Sequence, residues 1–260
     1  MKKFLVVLIA LLMLTSCQQG NNTTIESPSI NEITTYKEVI KDGKVEIDGI
    51  SYDIKSVTKT SYTYDDNDNI IKTAKYDAPE TRVDHVYEGN QLIEDRRYSN
   101  NVLASTTYYY YEDDLLIKKK LVSKGGLEVV TEYFYGDKTE VQTHYNSDGI
   151  ISFITTAYLD DNDKILKAIK TTADGEMMTS SSFHYENDLL VKVISERGKA
   201  FYEYNNVGDK IMDYSIFYGN VITLIANFYD YEYDENLLPI TVTIHRVQSL
   251  IADEDIRKYQ

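Results

Sequence analysis

The chain has no tryptophan, a single cysteine and three prolines in 260 residues. One thiol cannot close a disulfide within a chain, so packing and hydrogen bonds must supply the stability. No twelve-residue window of the body spaces its apolar residues as a helix would, which argues against a helical domain. Cations are scarce too. The 27 Lys and Arg face 42 Asp and Glu, for a formal charge of −15. That balance opposes a phosphate backbone, and no nucleic-acid partner is expected. Gly-x-Ser-x-Gly, a glycine-rich phosphate loop and an HExxH pair are all missing, and His85, His144, His184 and His245 are scattered. These absences remove the signals of a nucleophile elbow, a nucleotide cradle and a zinc helix, and with them the sequence case for an enzyme, a metal or a cofactor.

What is abundant is tyrosine, 24 residues, accompanied by many Thr, Ile and Val. Aromatic and β-branched side chains fit a pleated, half-buried surface. The body is therefore expected to be all-β.

The N-terminus carries an address. Lys2 and Lys3 precede an unbroken apolar run from Phe4 to Leu14, too short to span a bilayer and suited to the core of a secretory signal. Leu14-Thr15-Ser16-Cys17 follows. It resembles the bacterial lipobox, and the resemblance implies cleavage before Cys17, acylation of that residue and a membrane as its partner. Residues 1–16 hold two lysines and no acids, so their loss would move the charge from −15 to −17. More than one acyl chain makes such an anchor effectively permanent. Gln18 stands where an Asp would resemble an inner-membrane retention signal, which favours the outer membrane if the source is Gram-negative. Residues 17–31 have the polar composition of a tether.

The body repeats itself. Short Tyr-rich segments end on Tyr64, Tyr87, Tyr111, Tyr135, Tyr158, Tyr185, Tyr204 and Tyr233, at spacings of 23, 24, 24, 23, 27, 19 and 29 residues. Each is followed by acids or amides and then by an aliphatic segment, as in YYYYEDDLLIKK at 108–119. Asp, Asn and Gly accept the tight backbone of a hairpin. Second turn signals, such as Lys124-Gly125-Gly126 and Ala173-Asp174-Gly175, close each copy. The expectation is an antiparallel meander of about sixteen short strands in hairpin repeats of about 24 residues, forming a twisted, curved single sheet or partial coil. Residues 32–58 and the charged tail 248–260 would cap its two ends, with the repeat domain at 59–247. Tyr62-Thr63-Tyr64-Asp65 and Glu232-Tyr233-Asp234-Glu235-Asn236-Leu237-Leu238 resemble the YD repeats of RHS-type proteins and bacterial surface lipoproteins, a likeness that implies architecture and no activity.

Candidate chemistry is thin. Asp65-Asp66-Asn67-Asp68-Asn69 and Asp160-Asp161-Asn162-Asp163 cluster oxygens as calcium would need, but lack the full glycine and glutamate pattern of an EF-hand loop. Both sit at the same phase of the repeat, so they read as hairpin turns. In the tyrosine run, alternation puts Tyr109 and Tyr111 on one face and Tyr108 and Tyr110 on the other. Tyr108 and Tyr110 are the candidate ligand-binding pair. A transmembrane barrel would need lipid-facing apolar alternation, whereas Lys118-Lys119-Lys120 and Glu94-Asp95-Arg96-Arg97 put charge on both faces. The sequence thus suggests a lipid-anchored envelope protein acting as a non-enzymatic interaction or structural module. The alternative is glycan or peptide binding on an aromatic concave face, with a hydrolase behind it.

Overall fold

A computed structural model describes residues 42–47, 50–219 and 221–251. All of its regular structure is strand. The strands are β1 (Lys44–Ile47), β2 (Ile50–Tyr64), β3 (Ile70–Lys75), β4 (Ala78–Glu88), β5 (Gln91–Ser99), β6 (Val102–Glu112), β7 (Leu115–Ser123), β8 (Glu128–Gly136) and β9 (Thr139–Tyr145). They continue as β10 (Ile151–Leu159), β11 (Ile165–Thr171), β12 (Met177–Glu186), β13 (Leu189–Ser195), β14 (Gly198–Tyr204), β15 (Lys210–Phe217), β16 (Ile222–Tyr233) and β17 (Pro239–Ile251). The described residues fall into two compact units, one of residues 60–183 and one of residues 42–59 with 184–251.

The hairpins close as their turn chemistry requires. Asn100 and Asn101 (φ 49° and 61°), Asp113 and Asp114 (49° and 65°) and Asn187 and Asp188 (47° and 69°) are two-residue turns with both central residues left-handed, the backbone that matches strand twist and tolerates Asn and Asp. A five-residue loop recurs beside them. In Asp65–Asn69 the Asp65 Oδ1 accepts the N–H groups of Asn67 and Asn69, both at 2.9 Å. Asp160, Asn146, Asn205 and Asp234 place their side-chain oxygens in the same way. The acid clusters that suggested calcium thus direct a leading carboxylate at their own backbone. The hydrogen bond from the Asn69 side chain holds the Asp65 carboxyl below its usual range, and the Lys164 N–H does the same for Asp160.

The expected open sheet is corrected by the strand order. The meander runs without interruption from β2 to β17, and β17 lies beside β2. Sixteen strands therefore close on themselves, the topology of a β-barrel, instead of ending as a curved sheet or partial coil. The reason is twist: a wide twisted sheet rarely stays flat, and closure pairs the two edges that would otherwise be exposed. Consistent with closure, Lys59 of β2 donates to Glu232 of β16 at 2.8 Å across 173 residues of sequence. Closure leaves the meander no free ends for terminal segments to shield. Instead β1 pairs antiparallel with β2, Lys44 opposite Asp53 and Ile47 opposite Ile50. Its Val45 and Ile47 join Tyr52, Met212, Ile216, Leu224, Ala226, Phe228 and Val247 in the main apolar cluster of the second unit. Fully burying a side chain such as Phe228 or Leu224 stabilises by about 1.5–3 kcal/mol. The signal segment 1–16, the tether 17–31 and most of the charged tail lie outside the described residues.

The anchor tyrosines stitch hairpin to hairpin. After its tight turn, β7 carries one extra residue, since Tyr111 pairs with Leu116 but Tyr110 with Lys118. Such a bulge disrupts the ladder locally. The hydroxyl of Tyr135, from the next copy, donates to the Leu116 carbonyl at 2.9 Å. Tyr111 does the same to Leu92 beside the bulge of β5, at 2.9 Å. Tyr204 reaches Leu190 at 2.9 Å. The fifth copy departs from the expected pattern: the residue before its Asp160 turn, paired across the bulge with Ile165, is Leu159, while Tyr158 pairs with Thr139 and Lys167. Tyr158 is left on the other face, 42% exposed.

Candidate functional site

Register decides which polar side chains meet. In the first unit one face, the more sheltered, carries Asp95 opposite His85, Tyr109 opposite Lys119, and Thr131 opposite His144, which in turn faces Phe153. Four neighbouring strands build a chain of hydrogen bonds there. Thr73 Oγ1 lies 3.0 Å from His85 Nε2, His85 Nδ1 lies 2.6 Å from Asp95 Oδ1, and the Tyr109 hydroxyl donates to Asp95 Oδ2 at 2.7 Å. The His85 ring thus bridges the Thr73 hydroxyl and the Asp95 carboxylate through its two nitrogens. Lys119 Nζ sits 5.4 Å from the Tyr109 ring centre. Burial, with Asp95 alongside, pushes the Tyr109 hydroxyl well above its ordinary range and keeps it a donor. Burial also lowers Lys119. Further along the same face Glu140 is 5% exposed, accepts from Gln142 Nε2 at 2.7 Å and is raised by that burial.

The second unit repeats the scheme with different residues. Asp213 accepts from Tyr229 at 2.5 Å, from Lys210 at 2.6 Å and from Asn227 at 2.8 Å. Lys210 Nζ is also 4.7 Å from the Tyr229 ring centre. Tyr233 donates to Asp209 at 2.7 Å, and burial pushes that carboxyl up. On the other face of β16 and β17, His245 Nε2 lies 3.2 Å from Asp230 Oδ2, while Asp230 Oδ1 and His245 Nδ1 are buried without a hydrogen-bond partner among the described residues.

The Asp95 and Asp213 clusters are each a carboxylate held by a tyrosine hydroxyl from the following strand, with a lysine beside the ring. Thr73, His85 and Asp95 stand in the order hydroxyl, imidazole, carboxylate, which is also the order of a nucleophilic triad. However, Thr73 lies within the β2–β3 and β3–β4 ladders, opposite Tyr62 and Val83. Backbone amides spent in ladders are not free to hold an oxyanion.

The sequence-chosen residues are placed as follows. Cys17 lies outside the described residues. Tyr108 and Tyr110 are 37% and 44% exposed on the open face, opposite Lys120 and Lys118, while Tyr109 is buried on the sheltered one. The open face carries its own ion pairs: Lys118–Glu132 (3.6 Å), Lys120–Glu128 (2.8 Å), Arg96–Glu94 (2.8 Å) and Arg82–Asp84 (3.0 Å). Sequence reasoning missed Thr73, Asp95 and Asp213. Apart from Lys210, which precedes Asp213 by three residues on the same strand, the partners named for them on other strands lie 10 to 16 residues away, and only strand register brings those together.

No family model matches the chain, and no curated protein matches it. Among solved structures, the chain is similar to a porin-like protein from Bacteroides uniformis ATCC 8492, at 11% identity and a TM-score of 0.30, over 75% of this chain and 96% of that one. No family model supports the resemblance to YD repeats, and closure of the sheet overturns the open repeat architecture it implied. The repeat-module reading falls with it, and so does its glycan- or peptide-binding alternative, because a closed wall presents no open concave sheet.

Proposed function

We propose that the protein is an exported β-barrel protein of the bacterial cell envelope, located at the outer membrane and held there by lipid on Cys17. Its wall stands outside the hydrocarbon, and its polar clusters bind strand to strand. The observation that carries this reading is charge within the strands of both faces of the first unit. Asp95, Arg97 and Lys119 occupy one face, while Arg96, Lys118 and Lys120 occupy the other with their acids. A Lys or Arg on the lipid side of a membrane barrel costs about 2–4 kcal/mol at the midplane, so neither face suits acyl chains. Attachment then falls to the N-terminus, where Leu14-Thr15-Ser16-Cys17 resembles a lipidation signal.

Fractionation of cells expressing Cys17→Ser tests it. The wild-type protein is expected in the outer-membrane pellet, extracted by detergent alone. The variant is expected as an uncleaved precursor or a soluble protein. A variant that stays in the outer membrane and still needs detergent would show an embedded wall and overturn the reading.

A further inference from the structure

In an antiparallel meander, alternate turns lie at opposite ends of the strands, and the two ends of the first unit differ in kind. At one end the connections are Asp65–Asn69, Gly89-Asn90, Asp113-Asp114, Asp137-Lys138 and Asp160–Lys164. None contains an apolar residue, and most are acidic. At the other end every connection carries or adjoins an exposed large apolar side chain: Tyr76 (57%), Val102 (48%), Leu127 (63%), Ile150 (62%) and Met177 (59%). The cross-strand neighbours Leu121 and Val129 widen that rim at 37% and 42% exposure. A side chain left this exposed adds little to folding, and single exposed apolars are ordinary. One at each of five turns along one rim is a pattern.

We propose that this rim rests on a phospholipid surface, with the acidic rim turned away from it. The inference builds on the lipid attachment at Cys17 and says which end of the first unit faces the bilayer. From Cys17 to Asp42 there are 25 residues, which span at most about 90 Å. An anchor of that reach does not select a face, so the surface itself must. Turn residues such as Asp77, Asn100, Gly126, Ser147 and Asp174 separate the apolar side chains. They therefore form no continuous patch for a rigid protein partner, but each can enter a soft interface individually. Charge points the same way by number: the opposite turns hold nine acids against four, Asp77, Asp148, Asp174 and Glu176, at this rim, and anionic headgroups repel the more acidic end more strongly.

The chain has no tryptophan, so a single introduced one reports its own surroundings. The full lipidated protein carrying Leu127→Trp, Ile150→Trp or Asn67→Trp is reconstituted on phosphatidylcholine vesicles, with circular dichroism confirming an intact strand signal. The two rim reporters are expected to shift to the blue and to be quenched by brominated acyl chains, while Asn67→Trp is unchanged. Proteins that float with vesicles but leave all three emissions unchanged would overturn the proposal. So would equal quenching at Asn67→Trp, or a blue shift that follows protein concentration without vesicles, which would mean a second copy covers the rim. Failure to float at all would instead count against the lipid on Cys17.

Discussion

Leu237 holds a left-handed backbone at φ 63°, in a loop position that other copies give to Asp68, Asp163, Gly149, Gly175 or Gly208. A side chain with a Cβ is disfavoured there by about 1–2 kcal/mol, and glycine returns part of that as backbone entropy. Leu237→Gly is therefore expected to stabilise by about 0.5–1 kcal/mol. Denaturant unfolding measures it, and a loss would mean that the half-buried Leu237 side chain outweighs the relieved backbone. At this scale the turn residues were legible, since left-handed tolerance belongs to the residue itself. The alternation of Tyr108 to Tyr111 was legible as well, because the side-chain period of a strand is two.

Between elements, the unit of cohesion is an anchor tyrosine meeting a carbonyl beside a bulge. Tyr135→Phe keeps the ring but removes the donor to Leu116. A lost hydrogen bond that leaves a buried acceptor unpaired costs about 1–3 kcal/mol. The half-buried setting of Tyr135 places the expected loss near the low end of that range, about 1 kcal/mol. Phe134→Leu, at an exposed neighbour on the other face, serves as the comparison. Equal stability of Tyr135→Phe and wild type in urea would remove the stitching role. A one-residue offset exchanges the faces of a strand. In the fifth copy the residue just before the turn, where the ladder shifts as it does at Tyr64, Tyr204 and Tyr233, is Leu159, so the expected anchor Tyr158 falls one place short and on the opposite face. The clusters on Asp95 and Asp213 were illegible for a related reason. His85 meets Asp95 because β4 and β5 pair in one register among several that the same residues would allow.

For the whole molecule the decisive fact is that β17 lies beside β2. Closure predicts that amides of β2 and β17 are protected from hydrogen exchange as well as those of β6 and β7. An open sheet would lose β2 and β17 first, and early exchange confined to those strands would refute closure. Strand content, hairpin phase and the placing of acids in turns were determined by the sequence itself, because each rests on local chemistry: a two-residue period, a left-handed backbone, a β-branched or aromatic side chain. Closure and the polar clusters were decided by tertiary structure alone. Residues such as Lys59 and Glu232, 173 positions apart, meet only when the accumulated twist of the intervening strands brings them together. No local pattern encodes where that sum ends.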